Sequence, residues 1–227
     1  MQFLAVGDEV VPAIYSLNVK ERFKEVKCVL GVGDLPFYYL EFIVTMMHVP
    51  CFYVLGNHDK AEQTEGGEEL HAPRGCVSLE GRSTYYNGFI LAGLGGSIRY
   101  NQDQGAQYTE SEMLFRVWRL SPRLLFNRQR YGRYLDIFIT HSPPLGIHNG
   151  PDRPHRGFRA FLMFMDYFRP RYLIHGHIHQ SYGFSSVKET RYKDTIVLNS
   201  AGYQLLSVDT TSEDRTASTS NEEPTWS

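Results

Sequence analysis

Short apolar runs that each end in a polar cluster set the architecture of this chain of 227 residues. Runs of strand length stand at residues 3–8, 28–34, 51–59, 136–144 and 172–179. Helix-like stretches, Pro12–Glu25 and Leu35–His48, separate the first three runs and give a β-α-β-α-β order. Near-continuous apolar strands that alternate with helices indicate a sheet covered on both faces. The sequence therefore predicts an α/β fold.

The remaining segments extend this pattern. Residues 89–97 read as another strand, and residues 111–133 as two helices broken at Ser121-Pro122. Residues 156–170 read as a helix that Pro170 stops, and residues 182–189 and 194–209 as antiparallel strands that close the sheet. One domain is predicted over 1–208. Residues 209–227 are small and polar and are predicted to be a disordered tail.

Composition limits the classes of function. The content of 42% apolar and 21% charged residues is that of a globular chain, and a net charge of -2 argues against a dedicated nucleic-acid binder. No run approaches the roughly 18 apolar residues of a membrane helix, and the first residues lack the pattern of a signal peptide. Three cysteines without CxxC spacing favour a reducing cytoplasm.

The polar clusters after the strands carry the candidate chemistry. In α/β sheets, ligands bind beyond the carboxyl ends of strands, where these side chains are expected to meet. They are carboxylates, an amide and imidazoles, a hard to borderline ligand set that suits Mn²⁺, Fe, Zn or Mg²⁺. The members of the set are Asp8, Asp34, Asn57, His58, Asp59, His141, His177 and His179.

The motif series GD, GD, GNHD, THSPP and GHIH, at residues 7–8, 33–34, 56–59, 140–144 and 176–179, resembles the calcineurin-like metallophosphoesterase family. The resemblance covers about residues 1–208, and the GNHD and GHxH pair is its most specific part. It implies a four-layer α/β/β/α sandwich of two mixed sheets flanked by helices. It also implies two divalent metal ions, with Mn²⁺ favoured and Fe, Zn or Mg²⁺ as alternatives.

Matching positions carry roles over to this chain. The resemblance implies that Asp34 bridges the two metals, that one metal is held by Asn57, His141 and His177, and that the other is held by Asp8 and His179. It implies that His58 contacts the phosphate and protonates the leaving oxygen while Asp59 orients His58. An imidazole suits that task because it titrates near neutral pH.

Two positions depart from the family pattern. The first motif is normally Asp-x-His, whereas Val10 stands at the place of the histidine. The carboxylate often found four residues after the bridging Asp is also absent, because Tyr38 stands there. Glu9 is an alternative ligand, although adjacent side chains usually point apart. The Asp8/His179 site is therefore expected to bind its metal more weakly.

Four further residues are candidate substrate contacts: Arg99, Asn101, His155 and Arg156. Arg99 and Asn101 follow the strand at 89–97. The loop at 146–158 follows the His141 motif and is predicted to form a wall of the pocket, with His148 as an alternative contact. His175 is expected to be a hydrogen-bonded core residue. The arginines of 116–133 are expected to form a solvated helix face rather than a nucleic-acid groove.

These observations predict a metal-dependent phosphoesterase that hydrolyses a phosphomonoester or phosphodiester by attack of a metal-bound hydroxide. The expected partner is a small phosphoester, which the charge balance favours over nucleic acid. Two alternatives remain: a phosphoesterase-like binding scaffold with weak or lost activity, to which Val10 points, and a nuclease. The retained His58 favours the enzyme.

Overall fold

The computed structural model describes residues 1–63, 66–67, 69–101, 105–179 and 187–209. Its first main sheet has five strands in the order β15-β1-β2-β3-β6, and β15 runs antiparallel to β1 while the others run parallel. These strands are β1 (Gln2–Gly7), β2 (Val26–Gly31), β3 (Cys51–Tyr53), β6 (Cys76–Ser78) and β15 (Gly202–Ser207).

The second main sheet has six strands in the order β13-β14-β12-β11-β8-β7, with antiparallel strands at both edges. They are β7 (Arg82–Tyr86), β8 (Phe89–Leu94), β11 (Ile137–Thr140), β12 (Tyr172–His175), β13 (Glu189–Tyr192) and β14 (Thr195–Asn199). Two short pairs complete the described strands: β4 (Glu62–Gln63) with β5 (Glu69–Leu70), and β9 (Ser97–Ile98) with β10 (Gln107–Tyr108).

Helices cover the outer face of each sheet. Two apolar clusters join α2 (Phe37–Met47) to the first sheet, and α3 (Glu110–Tyr131) and α4 (Arg159–Phe168) to the second. A third cluster fills the space between the sheets. In β1, Phe3 and Ala5 face the opposite sheet while Leu4 and Val6 face α2, so alternate residues of one strand serve two layers. The predicted four-layer sandwich is confirmed.

Stacking the sheets brings the carboxyl ends of five strands to one end of the sandwich. Asp8, Asp34 and Asn57 follow β1, β2 and β3, while His141 and His177 follow β11 and β12. Backbone bonds tie these loops together, because Asp8 N donates to Gly33 O at 3.1 Å and Gly176 N donates to His141 O at 3.0 Å. Both sheets therefore contribute to the same edge.

The helix predicted over Pro12–Glu25 is wrong in extent. Only α1 (Val19–Arg22) is helical, and the residues before it form turns. The buried side chains Ile14 and Val19 are five residues apart and do not share a helix face. Ser16 and Asn18 favour turns over a helix interior.

The predicted break at Ser121-Pro122 is also wrong, since α3 runs through it. Buried residues at helical spacing before and after the proline hold both halves on the sheet: Met113, Val117, Leu120, Leu124 and Asn127. Pro122 itself is exposed, so the carbonyl that it leaves without a donor lies on the solvent side, and Ser121 Oγ donates to Val117 O at 2.9 Å.

The last strands do not close one sheet together. β14 is parallel to β12, while β15 joins the other sheet beside β1. The prediction for residues 182–189 falls mainly outside the described residues, as does the tail from residue 210, and the boundary at 208 stays a prediction. None of the helices in the described ranges combines the length and apolar character that a membrane span requires.

Candidate metal centre

Four potential ligand atoms converge where the loops of the two sheets meet. Nε2 of His141 lies 3.1 Å from Asn57 Oδ1, 3.1 Å from His177 Nδ1 and 3.2 Å from Asp34 Oδ2. The residues Asn57, His141 and His177 are buried, and the Asp34 side chain is 11% exposed. The chain thus brings together, as predicted, the residues that the resemblance implies for one metal and for the bridge.

The second nitrogen of each ring fixes which nitrogen faces the centre. His141 Nδ1 lies 2.8 Å from Val32 O, and His177 Nε2 lies 2.8 Å from Pro154 O. A carbonyl oxygen only accepts, so both of these nitrogens carry protons and donate. His177 Nδ1, and His141 Nε2 once its proton has left, then present lone pairs to a cation, which is the arrangement that metal-binding imidazoles need. Asn57 Nδ2 donates to Tyr100 Oη at 3.3 Å, which turns Asn57 Oδ1 toward the same point.

The charges at the centre favour a cation. Burial disfavours the charged form of His141, but the charge and hydrogen bond of Asp34, with the charge of Asp8, outweigh it and raise the pKa of His141 to about 9. Burial would raise the pKa of Asp34, yet the neighbouring His141 holds it below its ordinary value. Burial, followed by the His141 charge, lowers the pKa of His177 to about 3. At neutral pH His141 therefore carries an extra proton. This proton supplies the positive charge that a metal ion would otherwise bring.

Asp8 and His179 form a looser pair beside this centre. His179 Nε2 is 3.8 Å from Asp8 Oδ1, and the buried Asp8 carboxylate accepts from the backbone N–H of His177 at 2.8 and 3.0 Å. Burial, with the nearby Asp34 charge, raises the pKa of Asp8 to about 6 against the opposing effect of His141. These residues can contribute to a second cation site, but their atoms are less tightly gathered.

Glu9 reaches the same place, against the expectation that adjacent side chains point apart. Its Oε1 lies 3.1 Å from His179 Nδ1. A tight turn explains this, because Glu9 N donates to Gly7 O at 2.7 Å and Asp8 has a φ of 64°. Val10, by contrast, packs against the apolar cluster between α2 and its sheet.

The predicted contact between Asp59 and His58 does not appear among the hydrogen bonds of the described residues. The Asp59 carboxylate accepts from the backbone N–H groups of Gly56 at 2.7 Å, Asp34 at 3.0 Å and Leu35 at 3.1 Å. His58 is exposed, and its backbone N–H donates to Asp34 Oδ1 at 2.8 Å. Asp59 therefore organises the backbone that presents Asp34, and it leaves the His58 ring open to solvent.

Unusual backbone conformations aim the ligands. Asp8, Asp34 and His177 have φ values of 64°, 54° and 67°, in the left-handed region that side chains rarely adopt. Glycines beside the ligands provide room, since a Cβ on Gly56 would collide with the Asp34 carboxylate and one on Gly176 would collide with the Asp8 carboxylate. At these two positions the structure needs glycine for close approach.

The four predicted substrate residues lie in two groups. Arg99 donates to both carboxylate oxygens of Glu112, at 2.9 and 3.1 Å, and Asn101 Oδ1 accepts from Gln107 Nε2 at 2.7 Å. The ring of His155 lies 5.3 Å from that of His177, between centroids, while Arg156 is exposed on the same loop. The loop at 146–158 therefore contacts the candidate centre, as predicted for a wall of the pocket.

Two histidines near the centre have a structural role. His148 Nδ1 lies 2.9 Å from His175 Nε2, and His148 Nε2 lies 2.8 Å from Thr190 Oγ1. Burial lowers the pKa of His148 to about 4, and burial with the His148 charge lowers that of His175 to about 3. His175 is thus the hydrogen-bonded core residue that was predicted. His148 is buried against it, so the alternative that it faces substrate is wrong.

Comparisons with known proteins agree with this geometry. The sequence model of the calcineurin-like phosphoesterase family matches residues 3–181. One solved structure aligns with a TM-score of 0.62 and 16% identity over 90% of this chain and 94% of its own. The protein TT1561 of Thermus thermophilus aligns with a TM-score of 0.59 and 16% identity over 95% of each chain. A comparison with the curated proteins finds no significant match.

We expect the Gly56→Ala substitution to lower the free energy of unfolding by about 1–3 kcal/mol, because the added methyl overpacks the Asp34 carboxylate. It should also weaken binding of Mn²⁺. Gly132→Ala is the control, since its φ of 75° disfavours a side chain while the space around it is open, so it tests backbone strain without a collision. That control should lose stability and keep its metal affinity, as measured by denaturant unfolding and calorimetry. Unchanged Mn²⁺ affinity in Gly56→Ala would contradict the close approach.

Metal binding should depend on pH through His141. Its raised pKa of about 9 means that the proton is held below that pH and must leave when a cation binds. Apparent Mn²⁺ affinity should therefore rise about tenfold per pH unit from about pH 6.5 to 8.5, with close to one proton released. Titration calorimetry in buffers of different ionisation enthalpy measures that release. Affinity that does not change over this range would show that His141 is neutral without metal.

Proposed function

We propose a catalytic role for this chain, which belongs to the calcineurin-like phosphoesterase family: metal-dependent hydrolysis of a phosphomonoester or phosphodiester. The observation that carries the proposal is the convergence of Asn57 Oδ1, His177 Nδ1 and Asp34 Oδ2 within 3.1–3.2 Å of His141 Nε2. Asp34, His141 and His177 also form a group whose ligand atoms lie within 4.8 Å of one another. Three imidazole or carboxylate ligands with one amide oxygen suit a divalent cation.

In this proposal the ligands divide between two ions. His141, His177 and Asn57 would hold the first, Asp34 would contribute to both, and Asp8 with His179 would hold the second. When bound, the two cations would neutralise phosphoryl charge and make a water acidic enough to supply hydroxide at neutral pH. Mn²⁺ is the proposed metal because the ligands are oxygen and imidazole without a thiolate. A cytoplasmic location belongs to the same proposal and is supported by three free cysteines.

His58 is the proposed acid–base group. It follows the proposed ligand Asn57 directly, its backbone N–H donates to Asp34 Oδ1, and the residue is exposed. An imidazole there can contact the phosphoryl group and give a proton to the leaving oxygen. Asp59 supports this step through the backbone, because its carboxylate fixes Gly56 and Asp34 on either side of the site.

A nuclease is the second candidate, and one cavity favours it. Arg82, Arg116, Arg119 and Arg123 line a space of about 460 Å³ between β7, β8 and α3. Glu80 pairs with Arg116 in this space and accepts from Leu55 N at 3.3 Å, which joins the cavity to the loop carrying Asn57. A basic groove beside a metal centre would suit the backbone of a single-stranded nucleic acid. A single-stranded oligonucleotide is therefore included as a second substrate in the assay below. Its cleavage would favour the nuclease.

A glutamate contacts the histidine of the proposed second cation site. With Val10 packed in the apolar cluster, Glu9 is the carboxylate that faces His179. Glu9 Oε1 accepts a hydrogen bond from His179 Nδ1 in this geometry, which leaves His179 Nε2 to face Asp8. Carboxylates that bond the outer nitrogen of a ligand histidine fix its tautomer and raise its basicity. Glu9 is thus proposed to compensate in part for Val10.

We expect turnover of bis(4-nitrophenyl) phosphate to require added Mn²⁺ and to be abolished by a chelator. His58→Ala should lower kcat by about 10²–10⁴-fold, while metal content measured by elemental analysis stays the same. His71→Ala is the matched control, because His71 is an exposed histidine whose Nε2 lies 3.9 Å from Glu69 Oε2. Undiminished turnover in metal-free protein would refute the mechanism. Metal loss in proportion to activity in His58→Ala would make His58 a ligand, and metal binding without turnover would favour the scaffold.

We expect Glu9→Gln to weaken the looser of two Mn²⁺ binding events by about tenfold, the size of effect that outer ligand partners have. Two-site titration calorimetry measures this, and ¹⁵N NMR of the metal-free protein reports whether Nδ1 of His179 keeps its proton. Glu25→Gln, another exposed glutamate, should change neither. If Glu9→Gln leaves both the affinity and the His179 tautomer unchanged, the pair is only a surface ion pair.

A further inference from the structure

The structure assigns a second anion-binding subsite beside the candidate metal centre, which we propose takes a second phosphate of the substrate. This inference rests on the function proposed above and narrows its substrate class to phosphoesters that carry two phosphate groups. The subsite is a cavity of about 460 Å³ between the strand pair β9–β10, the start of α3 and the loop at 151–156. Arg99, Tyr108, Arg153 and Arg156 are among its walls.

The cavity and the candidate centre share one loop. Pro154 O accepts from His177 Nε2 at 2.8 Å, and the His155 ring is 5.3 Å from the His177 ring. Arg153 and Arg156 flank these two residues in the chain, and Arg156 N donates to Arg153 O at 3.3 Å across a turn. The turn sets both arginines on the cavity wall while the carbonyl between them holds a metal ligand. A substrate bound at the centre therefore has this cavity next to it.

Three other charged side chains of the cavity wall already have partners. Arg99 is paired with Glu112 at 2.9 Å, and Asp152 Oδ2 lies 2.7 Å from His155 Nδ1. The Glu110 carboxylate accepts from the first backbone N–H groups of α4, those of residues 159 and 160. Its charge therefore faces the positive end of that helix.

Arg153 and Arg156 are the exception. Both are exposed, and neither forms a salt bridge within the described part of the chain. Two guanidinium groups without carboxylate partners on one concave wall suit a phosphate, because the planar fork of arginine matches its oxygens in pairs. The reacting phosphoryl group would be neutralised by cations at the centre, so these arginines are left for a second anionic group.

The test compares two esters that differ only in the second phosphate: thymidine 5′-(4-nitrophenyl phosphate) with and without a 3′-phosphate. In the Mn²⁺-loaded protein the 3′-phosphate should raise kcat/KM by about tenfold, mainly through KM, since a charge-assisted contact is lost or gained in binding. The double substitution Arg153→Gln with Arg156→Gln should bring the ratio of the two kcat/KM values close to one. Arg22→Gln, an exposed arginine on α1, should keep the original ratio.

Direct binding keeps the inference testable without turnover. Calorimetry with thymidine 3′,5′-bisphosphate and thymidine 5′-phosphate should show the bisphosphate binding more tightly to the wild type, and this preference should disappear in the double variant. Equal binding of the two nucleotides by the wild type, or a preference that survives in the double variant, would overturn the subsite. If neither ester is hydrolysed while the bisphosphate preference is present and depends on the arginines, the proposed catalysis fails and the subsite stands.

Discussion

The crowding of acceptor atoms around His141 Nε2 is the constraint on which the rest of the site depends. Two oxygens and a second ring nitrogen lie 3.1–3.2 Å from this atom in a buried place. Such atoms repel unless positive charge sits among them, and low dielectric makes that repulsion costly. The raised pKa of His141 and the depressed pKa of Asp34 are two expressions of the same requirement. This geometry suits a cation at the candidate centre.

The backbone strain of that arrangement lies in the loops, and the packing of the layers beneath them stabilises it. Asp8, Asp34 and His177 adopt left-handed backbone conformations, which persist only where the surrounding structure determines them. Three apolar clusters provide that determination, because the strands below the loops are packed between layers. The Asp59 carboxylate adds three backbone hydrogen bonds at the point where two loops meet. The geometry of the ligands therefore depends on the packing of the core.

Local patterns, the apolar runs and the polar residues that end them, predict the α/β fold and the candidate ligands, while the four-layer sandwich follows from the resemblance to the family. The sequence misplaces what depends on tertiary context. Pro122 does not end a helix, because buried residues on both sides hold the helix to a sheet. Glu9 contacts His179 because of a tight turn that the residue types do not predict. The Pro154 carbonyl, as a backbone group, leaves no trace in the sequence at all.

The hydrogen bond from His177 to Pro154 O connects the candidate metal centre to the neighbouring cavity. One side of it is a ligand of the candidate cation, and the other is a loop whose arginines border the neighbouring cavity. A ligand in that cavity that shifts the loop would change the metal affinity at His177, and a bound cation would change the affinity of the cavity by the same factor. Occupancy of the two places is thus thermodynamically reciprocal. Under the proposed function, the concentration of free metal would then set part of the preference among phosphoesters.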